Sequence, residues 1–212
     1  MFVRRSINVI RNIRKGYRQV NMRKNVLVIA GSPKKKGNTA ALVEWFSEGV
    51  RSKGAQVEVV NAGVGRYKVA GCSACRSCQQ LPEYACVIQD DGREMLQRMI
   101  HADVIVMATP LYFYGPSAQL KVIIDRMFSL FKWDNAAGTM ETPLKGKTFA
   151  LILSAFEGVG LDVVEKSFAI TAEYAGMKFE SLLVPDVGVS GQVRNKPGVR
   201  EKAVDFGAKL SV

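Results

Sequence analysis

Four cysteines lie close together in one stretch of the chain. Cys72, Cys75, Cys78 and Cys86 follow the spacing C-x2-C-x2-C-x7-C. The first three recur every three residues, which is too tight for mutual disulfides, and a disulfide framework is not expected in a cytosolic protein of this size. Zinc and an iron–sulfur cluster both accept four thiolate ligands, and thiols without a metal are the third alternative. The spacing favours a metal centre and leaves its identity open.

Residues 25–39, NVLVIAGSPKKKGNT, form a second candidate site. An apolar run there meets glycine, serine and lysine before an amphipathic segment. The run has the length and β-branched content of a strand buried on both faces, and the spacing after it is helical. Ser32, Asn38 and Thr39 supply side-chain donors, and the free N–H groups of the new helix point back at the loop. We therefore expect a phosphate to bind here.

This loop lacks two common nucleotide-binding motifs. It matches neither the GxxxxGK[ST] pattern of nucleotide triphosphate loops nor the GxGxxG dinucleotide fingerprint. The alternative to a phosphate site is an ordinary connection from strand to helix that Asn38 or Thr39 caps. The loop alone does not decide between the two.

Five apolar or alternating segments are predicted as strands, and amphipathic helices separate them. The strands cover residues 26–30, 55–60, 104–108, 149–153 and 179–184. Strands that alternate with helices indicate an α/β fold with a parallel sheet wound on both faces. Ligands bind such sheets beyond the carboxyl ends of the strands. Three loops are expected to meet there: residues 31–39, 109–115 and 154–160.

The helices carry few charged groups that could serve as catalysts. In the helix after the third strand, Lys121, Asp125 and Arg126 are predicted to lie on the faces away from the apolar side. The only histidine, His101, stands at the predicted end of the preceding helix. Such a histidine is expected to be a helix-terminal residue and not a catalyst.

Three motifs resemble a known family. GSPKKKGNT follows the first strand, ATPLYFYGPSAQLKVIIDR follows the third, and CVIQDD precedes the second long helix. Together they resemble the flavodoxin-like NADPH-dependent FMN reductase family over most of residues 25–155. The resemblance implies a doubly wound, five-stranded parallel sheet with the strand order 2-1-3-4-5. It also implies FMN as the cofactor.

The resemblance assigns three groups of residues to the flavin. It implies that the phosphate is bound by Ser32, Lys34, Asn38 and Thr39. The isoalloxazine would lie along Pro110, Leu111, Tyr112, Phe113 and Tyr114, and its other side would be closed by Ser154, Phe156 and Gly158. The three aromatic residues could equally pack in the core, but three consecutive aromatics in a loop cannot all point inward. At least one is expected to face the flavin.

The cysteine spacing resembles that of the iron–sulfur flavoproteins, a branch of the same family in which a 4Fe-4S cluster lies near FMN. This implies that Cys72, Cys75, Cys78 and Cys86 are cluster ligands. Flavin reductases of the family also keep some of these cysteines without a cluster, so the unmetallated alternative stays open.

The charge of the chain is concentrated at its beginning. The whole sequence has 30 Lys and Arg against 19 Asp and Glu, and eight of those basic residues lie in residues 1–24, which contain no acidic residue. Residues 1–24 are predicted to be a basic amphipathic appendage, and residues 25–212 a single domain. The appendage is interpreted as a membrane-surface or docking helix, an arginine-rich transit peptide, or an over-long start upstream of Met22.

The leading functional prediction is an oxidoreductase. It would pass electrons from NAD(P)H or a reduced protein to a small-molecule or protein acceptor. The alternative is a non-catalytic electron carrier, although such carriers are usually strongly acidic and residues 25–212 are nearly balanced in charge. A nucleic-acid-binding role would rest on residues 1–24 alone and is not expected. We expect a cytoplasmic homo-oligomer, a dimer or tetramer, without a transmembrane segment.

Overall fold

The computed structural model describes residues 23–134 and 136–212. The predicted appendage lies almost wholly outside these residues, so it stays a prediction. The strands are β1 (Asn25–Ala30), β2 (Gln56–Asn61), β3 (Val104–Tyr112), β4 (Gly115–Pro116), β5 (Lys132–Asp134), β6 (Thr139–Glu141), β7 (Thr148–Ser154) and β8 (Lys178–Val184). The α-helices are α1 (Asn38–Ser52), α2 (Asp91–His101), α3 (Ala118–Arg126), α4 (Leu161–Tyr174) and α5 (Val199–Leu210).

The central sheet has the order β2-β1-β3-β7-β8, and these five strands run parallel. β7 and β8 are the fourth and fifth of the predicted strands, and the other strands are short additions. The observed order therefore confirms the predicted order 2-1-3-4-5. β4 pairs antiparallel with the end of β3, and β5 and β6 form a separate hairpin. The strand order reverses between β1 and β3, which is where ligands bind in sheets of this kind.

Helices cover both faces of the sheet. On one face, α2, α3 and α4 bury Leu96, Leu120 and Phe168 against the sheet. On the other face, α1 and α5 bury Phe46 and Phe206. The central strands are therefore buried on both sides, which explains their continuous apolar sequences.

α1 and α5 pack main chain to main chain through two glycines. A β-carbon at Gly49 would lie 1.9 Å from the Val204 carbonyl oxygen, and one at Gly207 would lie 2.0 Å from the Phe46 carbonyl oxygen. Only glycine permits so close an approach. The first and last described helices are thereby joined along one face of the sheet.

Arg126 corrects the sequence prediction for α3. It was predicted on a face away from the apolar side, but its side chain is only 1% exposed. The reason is a buried partner, Asp90, which precedes α2. Among the described residues, no helix combines the length and apolar character needed to cross a lipid bilayer.

Candidate functional site

A cleft of about 270 Å³ opens beyond the carboxyl ends of β1, β3, β7 and β8. Nine of the twelve predicted cofactor-binding residues line it: Ser32, Lys34, Asn38, Thr39, Pro110, Leu111, Tyr112, Ser154 and Phe156. Phe113, Tyr114 and Gly158 are not among its lining residues. The three loops expected from the sequence therefore do meet at one place.

The loop after β1 is held by Ser117, the residue that caps α3. The Ser117 hydroxyl donates to the Gly31 carbonyl oxygen at 2.7 Å and accepts a hydrogen bond from the Leu120 N–H. A β-carbon at Gly31 would lie 2.6 Å from the Leu120 β-carbon, so the loop can turn here only with glycine. The first loop is thus fixed against the third helix, and its position does not depend on a ligand.

The N-terminus of α1 faces this cleft without a side-chain cap. Gly37 occupies the capping position, and neither Asn38 nor Thr39 caps the helix. The sequence alternative of an ordinary capped connection is therefore wrong. The Thr39 and Ser154 hydroxyl oxygens lie 3.0 Å apart and are almost fully buried. Uncapped N–H groups beside these hydroxyls form a cradle for an anion.

The side chain of Asn38 turns away from this cradle. Its amide contacts the main chain of residues 187–193, which follow β8. This segment contributes Val187, Gly188 and Ser190 to the cleft. Sequence analysis missed these three residues, although their place at the carboxyl end of the fifth parallel strand was a usable signal. We call residues 185–191 the fourth wall.

The aromatic residues after β3 form a tight hairpin turn and not an open loop. Tyr112 pairs with Gly115, and both Phe113 and Tyr114 between them have positive φ, 45° and 60°. Phe113 is fully exposed at the tip. Tyr114 packs over Gly160, where a β-carbon would lie 2.3 Å from its ring. Of the three aromatics, Tyr112 alone lines the cleft, so the prediction that at least one faces the flavin depends on Tyr112.

The four cysteines lie on an irregular segment, residues 66–90, between β2 and α2. Cys72 and Cys75 are exposed, Cys78 is buried, and Cys86 is partly buried. Among the described residues, no three His, Cys, Asp or Glu side chains stand close enough to hold a metal ion. The predicted metal ligands therefore do not converge in this structure.

Hydrogen bonds and burial act differently on the thiols. The Ser77 main-chain N–H, with the Ser77 and Ser73 hydroxyls, lowers the pKa of Cys75 because these donors stabilise its thiolate. Ala74 and Arg76, on either side of it, both have a positive φ of 55°. Burial raises the pKa of Cys78. Cys75 thus lies in a setting that favours a bound thiolate.

Arg126 anchors the end of the cysteine segment. Its guanidinium forms two hydrogen bonds with the Asp90 carboxylate, at 2.8 and 2.9 Å, and donates to the Ile88 carbonyl oxygen at 3.1 Å. Burial alone would lower the pKa of Arg126, but Asp90 and the neighbouring Cys86 thiol outweigh it and raise that pKa. The Arg126 Nε is buried and has no hydrogen-bond partner among the described residues. The guanidinium thus joins the end of the cysteine segment to α3 through Asp90 and Ile88.

Other side chains fix the middle of the same segment. Lys132 donates to the carbonyl oxygens of Cys78 and Leu81. Gln79 donates to the Phe131 carbonyl oxygen at 2.9 Å, and Arg93 donates to that of Cys86. Side chains from β5 and α2, together with Gln79 of the segment itself, therefore hold it in place.

Known iron–sulfur flavoproteins share part of this sequence. One from Methanocaldococcus jannaschii is 37% identical over 101 residues, which are 48% of this chain and 50% of the relative. One from Archaeoglobus fulgidus is 32% identical over 99 residues, which are 47% of this chain and 43% of the relative. The chain thus spans about half the length of the curated relatives that it matches.

Solved structures share the fold at low sequence identity. An NAD(P)H:quinone oxidoreductase from Methanothermobacter marburgensis superposes with a TM-score of 0.63 at 17% identity, covering 89% of this chain and 98% of that one. An FMN-dependent NADH-azoreductase from Bacillus anthracis, solved with FMN, superposes with a TM-score of 0.65 at 14% identity. The superposition covers 89% of this chain and 100% of that one. A flavodoxin from the domain Archaea superposes with a TM-score of 0.53 at 13% identity, and the superposition covers 88% of this chain and 96% of that one.

The family assignment follows from a match that covers most of the described domain. The sequence model of the NADPH-dependent FMN reductases matches residues 24–183, from the start of β1 almost to the end of β8. This range contains the cradle at α1, the aromatic turn and the cysteine segment. The chain therefore belongs to the NADPH-dependent FMN reductase family.

Proposed function

We propose that this protein is an FMN-dependent oxidoreductase that binds FMN in the cleft at the carboxyl edge of the sheet. One observation carries the proposal: a single cleft combines an anion cradle at one end with an apolar and aromatic slot at the other. FMN has the matching parts, one phosphate and one planar ring system. The cleft thus suits a flavin mononucleotide, and no dinucleotide fingerprint is present for FAD.

The phosphate end would be held by uncapped N–H groups of α1 and by the hydroxyls of Ser32 and Thr39. Among the described residues that line the cleft, Lys34 alone has a charged side chain, and its positive charge favours an anion there. The ring end would lie between Pro110–Tyr112 and Ser154–Phe156. In these roles the residues bind and orient the cofactor, as the family resemblance implies.

Bound FMN supplies hydride and single-electron chemistry itself, so the protein needs no acid–base pair. The lining of the cleft fits this, because the part of the chain that the structure describes contributes no His, Asp or Glu to it. His101 borders a different cavity, with Asn25 and Gln56 at the amino edge of the sheet. The role of the cleft would be to hold the ring, exclude water from one side and leave the other side open.

The proposed donor is NAD(P)H or a reduced protein, and the proposed acceptor is a small molecule or protein. Support comes from the family match and from the names of two structural neighbours, an NAD(P)H:quinone oxidoreductase and an FMN-dependent NADH-azoreductase. The exposed aromatic rim at Phe113, Tyr114 and Phe156 offers a contact surface for either class of redox partner.

We also propose that Cys72, Cys75, Cys78 and Cys86 hold a 4Fe-4S cluster, which would supply one-electron transfer. The cysteine spacing supports it, and so do the Ser77 and Ser73 donors that lower the pKa of Cys75. The relatives named iron–sulfur flavoproteins support it as well. Because the thiols of the described residues do not converge, cluster binding would require the cysteine segment to rearrange.

Anaerobic purification tests the proposed function. We expect about one FMN per chain, a flavin spectrum that bleaches with NADH or NADPH, and recovery of the spectrum when a quinone is added. Bleaching by dithionite but by neither nicotinamide would favour a protein donor. A chain that binds no FMN at micromolar concentrations, or that binds FAD in preference, would contradict the proposal.

A further inference from the structure

Asn38 makes three hydrogen bonds that join the start of α1 to the segment after β8. Its Nδ2 donates to the Val187 carbonyl oxygen at 2.5 Å and to the Val189 carbonyl oxygen at 2.9 Å. Its Oδ1 accepts from the Val193 N–H at 3.1 Å. These partners lie 149 to 155 residues away along the chain. A single side chain thus connects two distant loops at the edge of the cleft.

The number of donors and acceptors on this amide limits which further groups Asn38 can bind. An asparagine has two N–H donors and one oxygen acceptor, and here all three are engaged. The arrangement also fixes the orientation of the amide, because a flipped side chain would set its oxygen against two carbonyl oxygens. No side-chain donor of Asn38 remains for a phosphate.

The fourth wall depends on these bonds for its position over the cleft. Val187 is buried, and its N–H donates to the Ala155 carbonyl oxygen at 2.9 Å. A β-carbon at Gly188 would lie 1.9 Å from the ring of Phe156. The wall therefore supports Phe156, which stands at the ring end of the proposed flavin site. Loss of the wall would disturb this end and leave the uncapped N–H groups of α1 in place.

We infer that Asn38 is a positioning residue that fastens the fourth wall, and that residues 187–190 form a ring-side part of the flavin site. This inference rests on the proposed function of the cleft. It reassigns Asn38 from the phosphate to the wall. Ser32 and Thr39 remain as the side-chain ligands for the phosphate.

Titration with two flavins separates these roles, because riboflavin lacks the phosphate. Asn38→Ala should weaken the binding of FMN and of riboflavin by the same factor, about tenfold, because the three hydrogen bonds that hold the wall are lost. Ser32→Ala is the matched control from the same loop. It should weaken the binding of FMN and leave the binding of riboflavin unchanged. If Asn38→Ala weakened the binding of FMN and left the binding of riboflavin unchanged, the inference would be overturned. Unchanged binding of both flavins would overturn it as well.

Hydrogen exchange on the flavin-free protein provides a second, independent test. In Asn38→Ala the main-chain N–H groups of residues 187–193 should exchange faster, while those of β1 and β3 keep their wild-type rates. Unchanged exchange across residues 187–193 would overturn the positioning role. A wild-type chain that binds no flavin would refute the proposed function, and the exchange result would still decide whether Asn38 holds the wall.

Discussion

The cleft and the cysteine segment are held in place in different ways. The cleft is formed where parallel strands end, and the Ser117 hydroxyl and the uncapped start of α1 shape it. The cysteine segment has no strand and only one 3-10 helix, Ser77–Gln80. It is fixed by the side chains of Arg126, Lys132 and Gln79. Regular secondary structure thus positions the cleft, while a few long side chains position the cysteine segment.

This difference indicates how each site should respond to substitution. The cleft distributes its contacts over many main-chain groups, so the loss of one side chain should weaken binding without abolishing it. The cysteine segment depends on a few side-chain contacts and on the four cysteines proposed as ligands. A single change there should have a large effect, and it should leave the cleft intact.

The largest effect is expected from Cys75→Ser. Anaerobic reconstitution of the wild-type chain should give about four iron and four sulfide per chain, and the variant should lose them, because complete ligation of the cluster needs four thiolates. Iron and FMN are measured on the same sample. FMN content should stay at the wild-type value. Stoichiometric FMN with no iron uptake by the wild type would leave a flavin reductase without a cluster.

The second effect concerns stability. Arg126→Met should lower the free energy of unfolding by about 3–5 kcal/mol, because the Asp90 carboxylate would stay buried without its partner. Urea denaturation followed by fluorescence measures the change. Arg98→Met is the matched control, since its ion pair with Glu58 is exposed and should contribute less than about 1 kcal/mol. Equal losses in the two variants would show that the buried pair is not a special anchor.

The smallest effect is expected in the cleft. Thr39→Ala should weaken FMN binding by about 1.5–3 kcal/mol, since one donor to a charged phosphate is removed, and it should leave the iron content unchanged. Fluorescence titration with FMN gives the affinity. If the variant kept wild-type affinity, the cradle would depend on main-chain groups alone and the contrast between the two regions would be sharper than we propose.

The sequence predicted the centre of the sheet well because β1 and β3 carry continuous apolar runs. Residues 26–29 and 104–108 are buried, as expected of strands covered on both faces. The three loops of the cleft followed from the topology. The aromatic turn was predicted only as a loop, because Phe113 and Tyr114 at positive φ contradict the usual preference for asparagine and glycine in such turns.

Two other features depend on contacts that no local pattern encodes. Arg126 was predicted on the polar side of its helix, because its partner Asp90 lies 36 residues away. The contact of Asn38 with the fourth wall was missed for the same reason, since Asn38 reaches residues about 150 positions later. Periodicity identifies which residues are buried, but it does not identify which polar side chains pair across the fold.

The glycine contact between α1 and α5 has a consequence for synthesis on the ribosome. The cradle of the cleft lies at the start of α1, and part of the surface of α1 is covered only when Gly207 of α5 meets Phe46. A nascent chain that has not yet formed α5 would leave this part of α1 open to water and to chaperones. We therefore expect this domain to complete its folding only after α5 has left the exit tunnel.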